Sequence, residues 1–312
     1  MTLAVTLLFS VIFGFMLLIG YLIGLQGIYI IIYPIGMAIG FILLQWVLSD
    51  RLIQAMAKIT WLNGPEDNPK LWDMVVRKAS QANVKIEKIG ISEMKKPNAF
   101  VYGKTKAKLV VTKGLLYSLS GDDEALEGVI THEIGHVKHK DLRTMMIIST
   151  LPLILYMIAY SFMWGSYGSR DRGTLVLIGL LAWIFYFILN LGVLLVSRYR
   201  EYYADMYSKE IMGAAPLTRG LIKIAYINES GTSQQALSSA EATLGSFFIM
   251  DSRIIEDVDL LSEISHLGPL TPEERKMLEK KIKKEKRTSG IEIFMTHPLT
   301  YKRILRLYET SS

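Results

Sequence analysis

Cysteine is absent from the 312 residues of the chain. This absence excludes disulfide bridges, thiolate metal sites and a cysteine nucleophile, so any metal must bind imidazole or carboxylate groups. Histidine is also scarce, with 5 residues in the whole chain. Three of them lie in one short stretch, THEIGHVKHKD at 131–141. This concentration makes the stretch the first candidate for a metal site.

Charge is missing from the N-terminal part of the chain, where no charged residue precedes Asp50 and no cation precedes Arg51. Two apolar runs occupy this part, Leu3–Ile23 and Ile28–Leu48. Each has the ~20 residues that a helix needs to cross the hydrocarbon core of a bilayer. Because only GLQG separates them, they are predicted to form an antiparallel transmembrane hairpin. A secretory signal peptide fits poorly, since no basic residue precedes the first run.

A second pair of apolar runs, Thr144–Trp164 and Leu175–Val196, predicts a second hairpin. Four spans in two hairpins place both polar parts of the chain on the same side of the membrane. The alternative is that the second pair of runs forms buried core helices of a soluble domain. The predicted division is a first hairpin at 1–48, a first polar block at 49–143, a second hairpin at 144–196 and a second polar block at 197–312.

The cations are distributed unevenly between the two sides of these predicted spans. Of the 35 Lys and Arg residues, only Arg170 and Arg172 lie in the loop on the opposite side. The positive-inside rule therefore predicts a multi-pass protein of the cell membrane, with both polar blocks and both chain ends in the cytoplasm. The net charge of +6 follows this distribution. We therefore expect the lipid bilayer as a partner and no nucleic acid.

The first polar block predicts a small α+β domain. The segment NPKLWDMVVRKASQANV has the apolar stripe of an amphipathic helix. The segments KIEKIGISEM and NAFVYGKTKAKLVVT predict short strands. The segment SGDDEALEGVITHEIGHVKH then predicts a helix that begins with Ser120 or Asp122 as its N-cap and has acidic residues in its first turn.

Two histidines lie four residues apart on this last helix, so His132 and His136 face the same point in space. Glu133 lies between them, in the pattern H-E-x-x-H. Zinc hydrolases use this arrangement, with a third ligand from elsewhere and an open position for a water that the glutamate deprotonates. The same pattern also occurs in ordinary amphipathic helices. A third ligand elsewhere in the chain is therefore needed to decide whether this helix carries a metal site.

One class of zinc proteases uses H-E-x-x-H-x-x-G-x-x-H, but here His139 occupies the glycine position and Leu142 the last histidine position. Another class takes a glutamate from a second helix, followed four residues later by an aspartate. The stretch EYYAD has this form, which makes Glu201 the predicted ligand and Asp205 the residue that orients a ligating histidine. In continuous helices, Glu201 and His136 would lie about 7 and 12 Å from the apolar runs, so two adjacent helices could close the site.

The motifs THEIGH and EYYAD, with the upstream PNAFVYG and the late THP followed by Arg303, resemble those of the HtpX-type membrane metalloproteases, relatives of the CAAX prenyl proteases. The resemblance covers most of the chain, because the order and spacing of the four spans also match. It implies one Zn²⁺ ion per chain. It also implies endoproteolysis of membrane or misfolded proteins at the cytoplasmic face, which is protein quality control under stress.

The resemblance implies roles for residues outside the ligand set. Asn98, Ala99 and Phe100 match a stretch that borders the family's cleft, where an extended sheet edge can pair its backbone with a substrate strand. His297 and Arg303 match the late family motif, and either side chain could steady the oxyanion of a tetrahedral intermediate. The alternatives are an interior strand at 98–100 and a His297 that caps the final helix.

The sequence thus predicts a mainly α-helical integral membrane protein. Four transmembrane helices in two hairpins carry a cytoplasmic gluzincin-like α+β protease domain with a small β-sheet. The predicted activity is that of a zinc metalloendopeptidase acting on protein substrates. Two alternatives stay open, a CAAX-type protease that processes prenyl peptides and a catalytically silent membrane chaperone or adaptor. The oligomeric state has no signal in the sequence.

Overall fold

The computed structural model describes residues 50–103, 106–164, 172–229 and 295–309, together with single positions at 36, 40, 43, 47, 48, 273, 276 and 280. The first predicted hairpin, Leu3–Ile23 and Ile28–Leu48, lies outside these residues apart from five positions of its second run. The number of membrane spans and the four-part division of the chain therefore stay predictions.

Helices contain most of the described residues, and the strands form one small sheet. The elements in chain order are β1 (Ile59–Trp61), α1 (Pro69–Gln81), β2 (Ile86–Ser92), β3 (Ala99–Tyr102), β4 (Ala107–Thr112), α2 (Lys113–Ser118), α3 (Asp123–Lys138), α4 (Asp141–Trp164), α5 (Arg172–Met212), α6 (Ala214–Glu229) and α7 (Thr300–Tyr308). The mainly α-helical architecture with a small sheet is as predicted.

The sheet is mixed, with strand order β1-β2-β4-β3. Strand β4 runs parallel to β2 and antiparallel to β3, so β3 occupies an edge of the described sheet. Strands β2, β3 and β4 confirm the sequence prediction. Strand β1 and helix α2 were not predicted, because elements of three and six residues are too short for a clear periodicity.

Helix α1 has the amphipathic form that its sequence predicts. The Asn68 side chain caps its N-terminus by accepting a hydrogen bond from the Leu71 amide at 3.1 Å. Its buried stripe is Leu71, Met74, Val75, Lys78 and Ala79. This stripe packs in the main apolar core, together with one face of the sheet and with side chains from α3, α6 and α7. Lys78 reaches Glu127 of α3 at 3.3 Å, which compensates its buried charge.

Helix α3 is buried along nearly its whole length, from Ala125 to His136, except at Glu127. Its N-cap is Asp122, whose Oδ1 accepts a hydrogen bond from the Ala125 amide at 3.1 Å. Close packing on α6 depends on Gly128, because a Cβ atom there would lie 2.7 Å from the Leu217 amide nitrogen. The carbonyl of Gly128 also accepts a hydrogen bond from Ser208 Oγ of α5 at 2.9 Å.

The link between α3 and α4 lies where the predicted helix, which includes residues up to His139, comes to its end. Helix α3 ends at Lys138 and α4 begins at Asp141. Lys140 between them has a φ of 60°, which reverses the chain locally. The His139 amide donates to the Gly135 carbonyl and closes the last turn of α3. The break brings Asp141 back towards the end of α3.

The described residues belong to two compact units. Met146–Val193 belongs to the first, which we call the apolar unit. Ile53–Met145 and the described part of Leu194–Ser312 belong to the second, which we call the sheet unit. The sheet, its core and the cluster of histidines discussed below lie within the sheet unit.

Helix α5 is the one helix, among the residues that the structure describes, that is long and apolar enough to cross a membrane by length and composition. Helix α4 contains a shorter apolar stretch, Leu151–Met163. Large apolar side chains of α5 are exposed, including Leu177, Phe185 and Ile188. This exposure is typical of a lipid-facing helix and not of a buried core helix. The predicted helix at Leu175–Val196 and its continuation into EYYAD are confirmed.

The charge of Asp122 should stabilise the packing of α3 on α6 in a pH-dependent way. Burial raises the pKa of Asp122, but hydrogen bonds from Arg219 and Lys223 outweigh this effect and lower its pKa to about 2. The stabilisation is thus present at neutral pH and is lost as the pH falls from about 4 to 2. Asp122→Asn keeps a capping side chain and should cost about 1–2 kcal/mol at pH 7.

Thermal unfolding of the detergent-solubilised full chain at several pH values measures this difference. The control is Asp123→Asn, because the ion pair of Asp123 with Lys70 is exposed and is expected to contribute little. A stability difference between wild type and Asp122→Asn that grows as the pH falls would contradict the account.

Candidate metal centre

Three predicted ligands converge in the sheet unit. His132 and His136 project from α3 and Glu201 from α5, and all three are buried. One donor atom from each residue lies within 4.8 Å of the others. The two imidazole rings stand almost perpendicular, at 82° with centroids 4.7 Å apart. Among the described residues this is the cluster that could hold a metal ion.

Each carboxylate oxygen of Glu201 lies close to one of the two imidazoles. His132 Nε2 lies 3.5 Å from Glu201 Oε2, and His136 Nε2 lies 3.5 Å from Glu201 Oε1. Two ligand atoms at the usual zinc bond lengths and tetrahedral angles lie roughly 3.4 Å apart. Two neutral imidazoles and one carboxylate also form a known donor set for catalytic zinc. The residues present therefore fit this ion in chemistry, and their donor atoms lie within 4.8 Å of one another, close enough to share one ion.

A carboxylate orients each of the two imidazoles. Asp205 Oδ1 lies 2.9 Å from His132 Nδ1. Asp141 Oδ2 lies 2.7 Å from His136 Nδ1. Both contacts engage Nδ1, so both Nε2 atoms are directed towards the common point. Such partners fix the tautomer and the direction of a ligating histidine.

Small residues allow the two ligand-bearing helices to approach. A Cβ atom on Gly135 of α3 would lie 3.1 Å from the Cα of Ala204 on α5. Gly135 directly precedes the ligand His136, and Ala204 precedes Asp205. This close contact between the two helices therefore lies next to the ligand His136 and the carboxylate Asp205.

Arg303 lies behind the ligands and has no exposed surface. Its Nε donates to Asp205 Oδ2 at 2.8 Å and its Nη2 to Asp205 Oδ1 at 2.6 Å. Its Nη2 also lies 3.4 Å from His132 Nε2. Helix α7 thus contributes a guanidinium that holds Asp205, which in turn holds His132. The sequence places Arg303 among the substrate contacts, whereas the structure places it beside the orienting carboxylate.

A second arginine, Arg200, lies on the other side of the cluster. Its Nη2 donates to Glu201 Oε1 at 3.1 Å, and its Nε lies 3.9 Å from Asp141 Oδ2. Arg200 therefore offsets the charges of two buried carboxylates. Neither Arg200 nor Asp141 was assigned from the sequence. Two features of the sequence could have indicated them. One is the acidic residue just after α3, and the other is the cation next to Glu201.

His297 is brought to the same place from the end of the chain. Its Nδ1 lies 3.4 Å from Glu201 Oε2, and its side chain is 4% exposed. Among the residues that the structure describes, neither ring nitrogen has a hydrogen-bond partner. The structure therefore brings His297 together with Glu201 at the edge of the ligand set.

The residues predicted to border the cleft lie at the sheet edge. Asn98 directly precedes the edge strand β3, and Ala99 and Phe100 begin it. The Asn98 amide donates to Thr112 Oγ1 at 2.9 Å, which ties the start of β3 to the end of β4. All three side chains are buried, and β3 packs against the metal helix α3. The alternative was an interior strand. In the strand order of the described residues, however, β3 lies at an edge of the sheet.

Burial shifts the pKa values of the acidic and basic groups at the centre in opposite directions. It raises the pKa of Glu133 to about 8, and the charge of Glu201 adds to this rise. It lowers the pKa of His136 well below the usual value, which keeps this imidazole neutral. Burial would also lower the pKa of His132, but hydrogen bonds to Asp205 and Glu201 outweigh it and raise the pKa to about 9.

Comparison with known proteins identifies the family. Residues 65–311 match the model of peptidase family M48. The chain belongs to peptidase family M48. It is therefore a metallopeptidase, and the cluster of His132, His136 and Glu201 is its candidate metal site.

Relatives within the M48 family carry the name that the sequence motifs indicate. The chain is 39% identical over 218 residues to the protease HtpX homolog of Methanothermobacter thermautotrophicus, covering 68% of this chain and 79% of the relative. It is 30% identical over 315 residues to the protease HtpX homolog of Picrophilus torridus, covering 98% and 94% of the two chains. The resemblance to HtpX-type proteases is confirmed.

A solved structure shares the fold of this M48 peptidase. The crystal structure of S. mikatae Ste24p aligns with a TM-score of 0.53 at 17% sequence identity. The alignment covers 96% of this chain and 62% of Ste24p, so this chain spans less than two thirds of that protein. At this identity the likeness establishes the fold alone.

Zinc binding should release a proton and strengthen as the pH rises. A ligating imidazole must be neutral, and the pKa of His132 near 9 means that the proton has to leave at neutral pH. The apparent zinc affinity should therefore increase between about pH 7 and pH 9. Competition with a chromophoric chelator measures this affinity. An affinity that does not change over this range would contradict the protonation assigned to His132.

Asp141 should contribute to metal affinity although it is not a ligand. Asp141→Asn replaces the carboxylate that orients His136 and should weaken zinc binding roughly 10–100-fold. The control is Asp123→Asn, an exposed position at the far end of α3. Chelator competition on the purified full chains measures both variants. Equal affinities of Asp141→Asn and wild type would show that the contact has no orienting role.

Proposed function

We propose that this M48 metallopeptidase is a zinc-dependent endopeptidase on a four-span membrane anchor. It cleaves membrane or misfolded proteins at the cytoplasmic face, in protein quality control. The observation that carries the proposal is the convergence of His132, His136 and Glu201, with Glu133 buried on the same helix. The HtpX names of the relatives support the same class of activity.

His132, His136 and Glu201 would hold the zinc ion. When bound, zinc polarises the scissile carbonyl and acidifies a water molecule. Glu133 accepts the proton of the attacking water and passes it to the leaving amine. Burial favours the protonated form of Glu133, and a divalent cation nearby favours its carboxylate. These opposing effects suit a side chain that must both accept and donate a proton.

His297 and Arg303 take different roles in this proposal. Within the described part of the chain the ring nitrogens of His297 have no hydrogen-bond partner, and the ring lies beside Glu201. His297 is therefore suited to donate a hydrogen bond to the oxyanion of the tetrahedral intermediate. Arg303 is fully buried and bidentate to Asp205. We assign it to the positioning of Asp205 and His132 and not to direct contact with substrate.

The edge strand β3 is the proposed substrate platform. A substrate in extended conformation adds to a sheet edge through main-chain hydrogen bonds, which gives affinity without demanding one sequence. In the described sheet β3 pairs with β4, and it packs against α3, which carries the ligands. Asn98, Ala99 and Phe100 would then set the register of the substrate through their backbone.

The membrane anchor and its orientation are supported by composition. Helix α5 has a long apolar stretch with exposed side chains, and the first two apolar runs of the sequence have the length of spans. All Lys and Arg residues except Arg170 and Arg172 lie outside the predicted loop between Trp164 and Leu175. By the positive-inside rule, the sheet unit and its metal site face the cytoplasm.

Glu133→Gln should retain zinc and lose peptide cleavage. The amide keeps the size of the side chain but cannot accept the proton of water, so the rate should fall at least roughly 100-fold. The measurement is cleavage of casein by the purified full chain in detergent, with zinc content determined on the same sample. Casein cleavage by this variant at the wild-type rate would refute the mechanism.

Two substrate assays distinguish the proposed function from its alternatives. A CAAX-type enzyme would cleave a prenylated peptide in preference to an unfolded membrane protein, and the proposal expects the reverse. A silent chaperone or adaptor would bind unfolded protein without cleaving it. The wild-type chain with bound zinc and the Glu133→Gln chain serve as matched controls for both assays.

A further inference from the structure

The turn that follows α3 has basic side chains on the surface and an acidic side chain inside the protein. The metal site does not require its basic side chains to be exposed. Lys138, Lys140 and Arg143 are exposed around this turn. In the part of the chain that the structure describes, none of them forms an ion pair with a carboxylate, although Lys138 Nζ lies over the Tyr207 ring, 4.3 Å from its centroid. Asp141, the acidic residue of the turn, is buried and faces His136. The turn therefore directs its negative charge inwards and its positive charges outwards.

Two exposed tyrosines of α5 adjoin this turn. Tyr199 and Tyr203 are 51% and 64% exposed and lie one helical turn apart, on the same face of the helix. The His139 ring contacts that of Tyr203 with centroids 6.0 Å apart at 63°. This contact joins the turn and the tyrosines into one surface. We call it the basic tyrosine surface, and it consists of Lys138, His139, Lys140, Arg143, Tyr199 and Tyr203.

The basic tyrosine surface continues an apolar stripe of the same helix. Leu195, one turn before Tyr199, is 46% exposed. The apolar run of α5 ends near Val196, so at 1.5 Å per residue Tyr199 lies about 5 Å and Tyr203 about 10 Å beyond it along the helix. The headgroup layer of a bilayer is roughly 5–8 Å thick on each side. The backbone at Tyr199 therefore lies within this layer and that at Tyr203 just beyond it, so the Tyr203 side chain and the long basic side chains near it must reach back to meet the headgroups.

We infer that the basic tyrosine surface docks onto the headgroups of anionic phospholipids. The inference rests on the membrane anchor of the proposed function and adds a lipid partner to it. Tyrosine has an apolar ring and a polar hydroxyl and is enriched at membrane interfaces, and exposed cations attract lipid phosphates. Lysine is depleted at protein–protein interfaces, which disfavours a protein occupant. The exposed Glu210 lies beyond Tyr207, further from the apolar run.

Docking would fix the height of the metal centre above the lipid. The turn that presents Lys140 and Arg143 outwards also presents Asp141 to the ligand His136. Helix α5 carries both Tyr199 and the ligand Glu201, two residues apart. If the basic tyrosine surface stays at the level of the lipid phosphates, all three ligands also stay at a constant short distance from that level. Substrate segments that emerge from the bilayer would meet the site at that height.

Site-directed spin labelling in lipid nanodiscs tests the inference. The chain contains no cysteine, so one engineered cysteine gives one labelled site. The test site is Tyr203→Cys, which leaves the other five residues of the surface in place. The reference is Tyr117→Cys, a tyrosine on α2 that is 84% exposed. Phe185→Cys, at a 57% exposed position of the apolar unit, reports on the membrane anchor itself.

The measured quantity is the accessibility of each label to a water-soluble nickel complex and to oxygen. In nanodiscs that contain phosphatidylglycerol, the Tyr203 label should be several-fold less accessible to nickel than the Tyr117 label. In pure phosphatidylcholine this protection should weaken, since each cation near an anionic surface contributes roughly a fivefold preference. The Phe185 label should be accessible to oxygen and protected from nickel in both lipids.

A charge variant and its matched control complete the test. Lys138→Gln/Lys140→Gln/Arg143→Gln should abolish the effect of phosphatidylglycerol on the Tyr203 label. Lys85→Gln/Lys88→Gln/Lys113→Gln removes the same charge from exposed positions elsewhere in the sheet unit and should leave the effect unchanged.

The outcomes separate the inference from the proposed function. If the Phe185 label is open to nickel, the membrane anchor fails and the inference falls with it. If the Phe185 label lies in lipid but the Tyr203 label is as accessible as that of Tyr117, only the inference is overturned. Protection of Tyr203 that is equal in both lipids and grows with protein concentration would assign the surface to a protein contact, and would also overturn it.

Discussion

The burial of the Glu201 carboxylate is the constraint on which the rest of the centre depends. A carboxylate that is 1% exposed is strongly destabilising unless opposite charges and hydrogen-bond donors surround it. Two imidazoles, the Arg200 guanidinium and the His297 ring lie within 3.5 Å of its oxygens. A divalent cation between the imidazoles would supply the remaining compensation. Burial at the same centre raises the pKa of Glu133, which suits this side chain to proton transfer.

The fold provides this environment through helix packing and a chain of polar contacts. Gly135 and Ala204 let α3 and α5 approach closely at the height of the ligands. Arg303 holds Asp205, and Asp205 holds His132, so an element from the end of the chain stabilises a ligand from its middle. Because these contacts form one buried network, loss of one partner leaves the others unsatisfied and should affect metal affinity beyond the residue concerned.

The sequence was sufficient for the parts of the site that depend on helical periodicity. His132 and His136 are four residues apart, and Glu201 and Asp205 are four residues apart, so the shared face of each pair follows from the helix itself. Asp141 could not be found in this way. Its contact with His136 depends on the positive φ of Lys140, which residue type alone does not indicate because glycine usually occupies such positions. The position of Arg303 depends on how α7 packs against the rest of the sheet unit, and no local sequence pattern indicates this packing.

The central claim is that two imidazoles and one carboxylate bind a single zinc ion, and X-ray absorption at the zinc edge tests it most directly. For the purified full chain, the account predicts one zinc per chain, with two imidazole nitrogens and oxygen donors at about 2.0–2.2 Å. The spectrum should keep two imidazoles when His297 is replaced by alanine. A spectrum with three imidazoles, or a chain that retains no zinc after purification in its presence, would contradict the account.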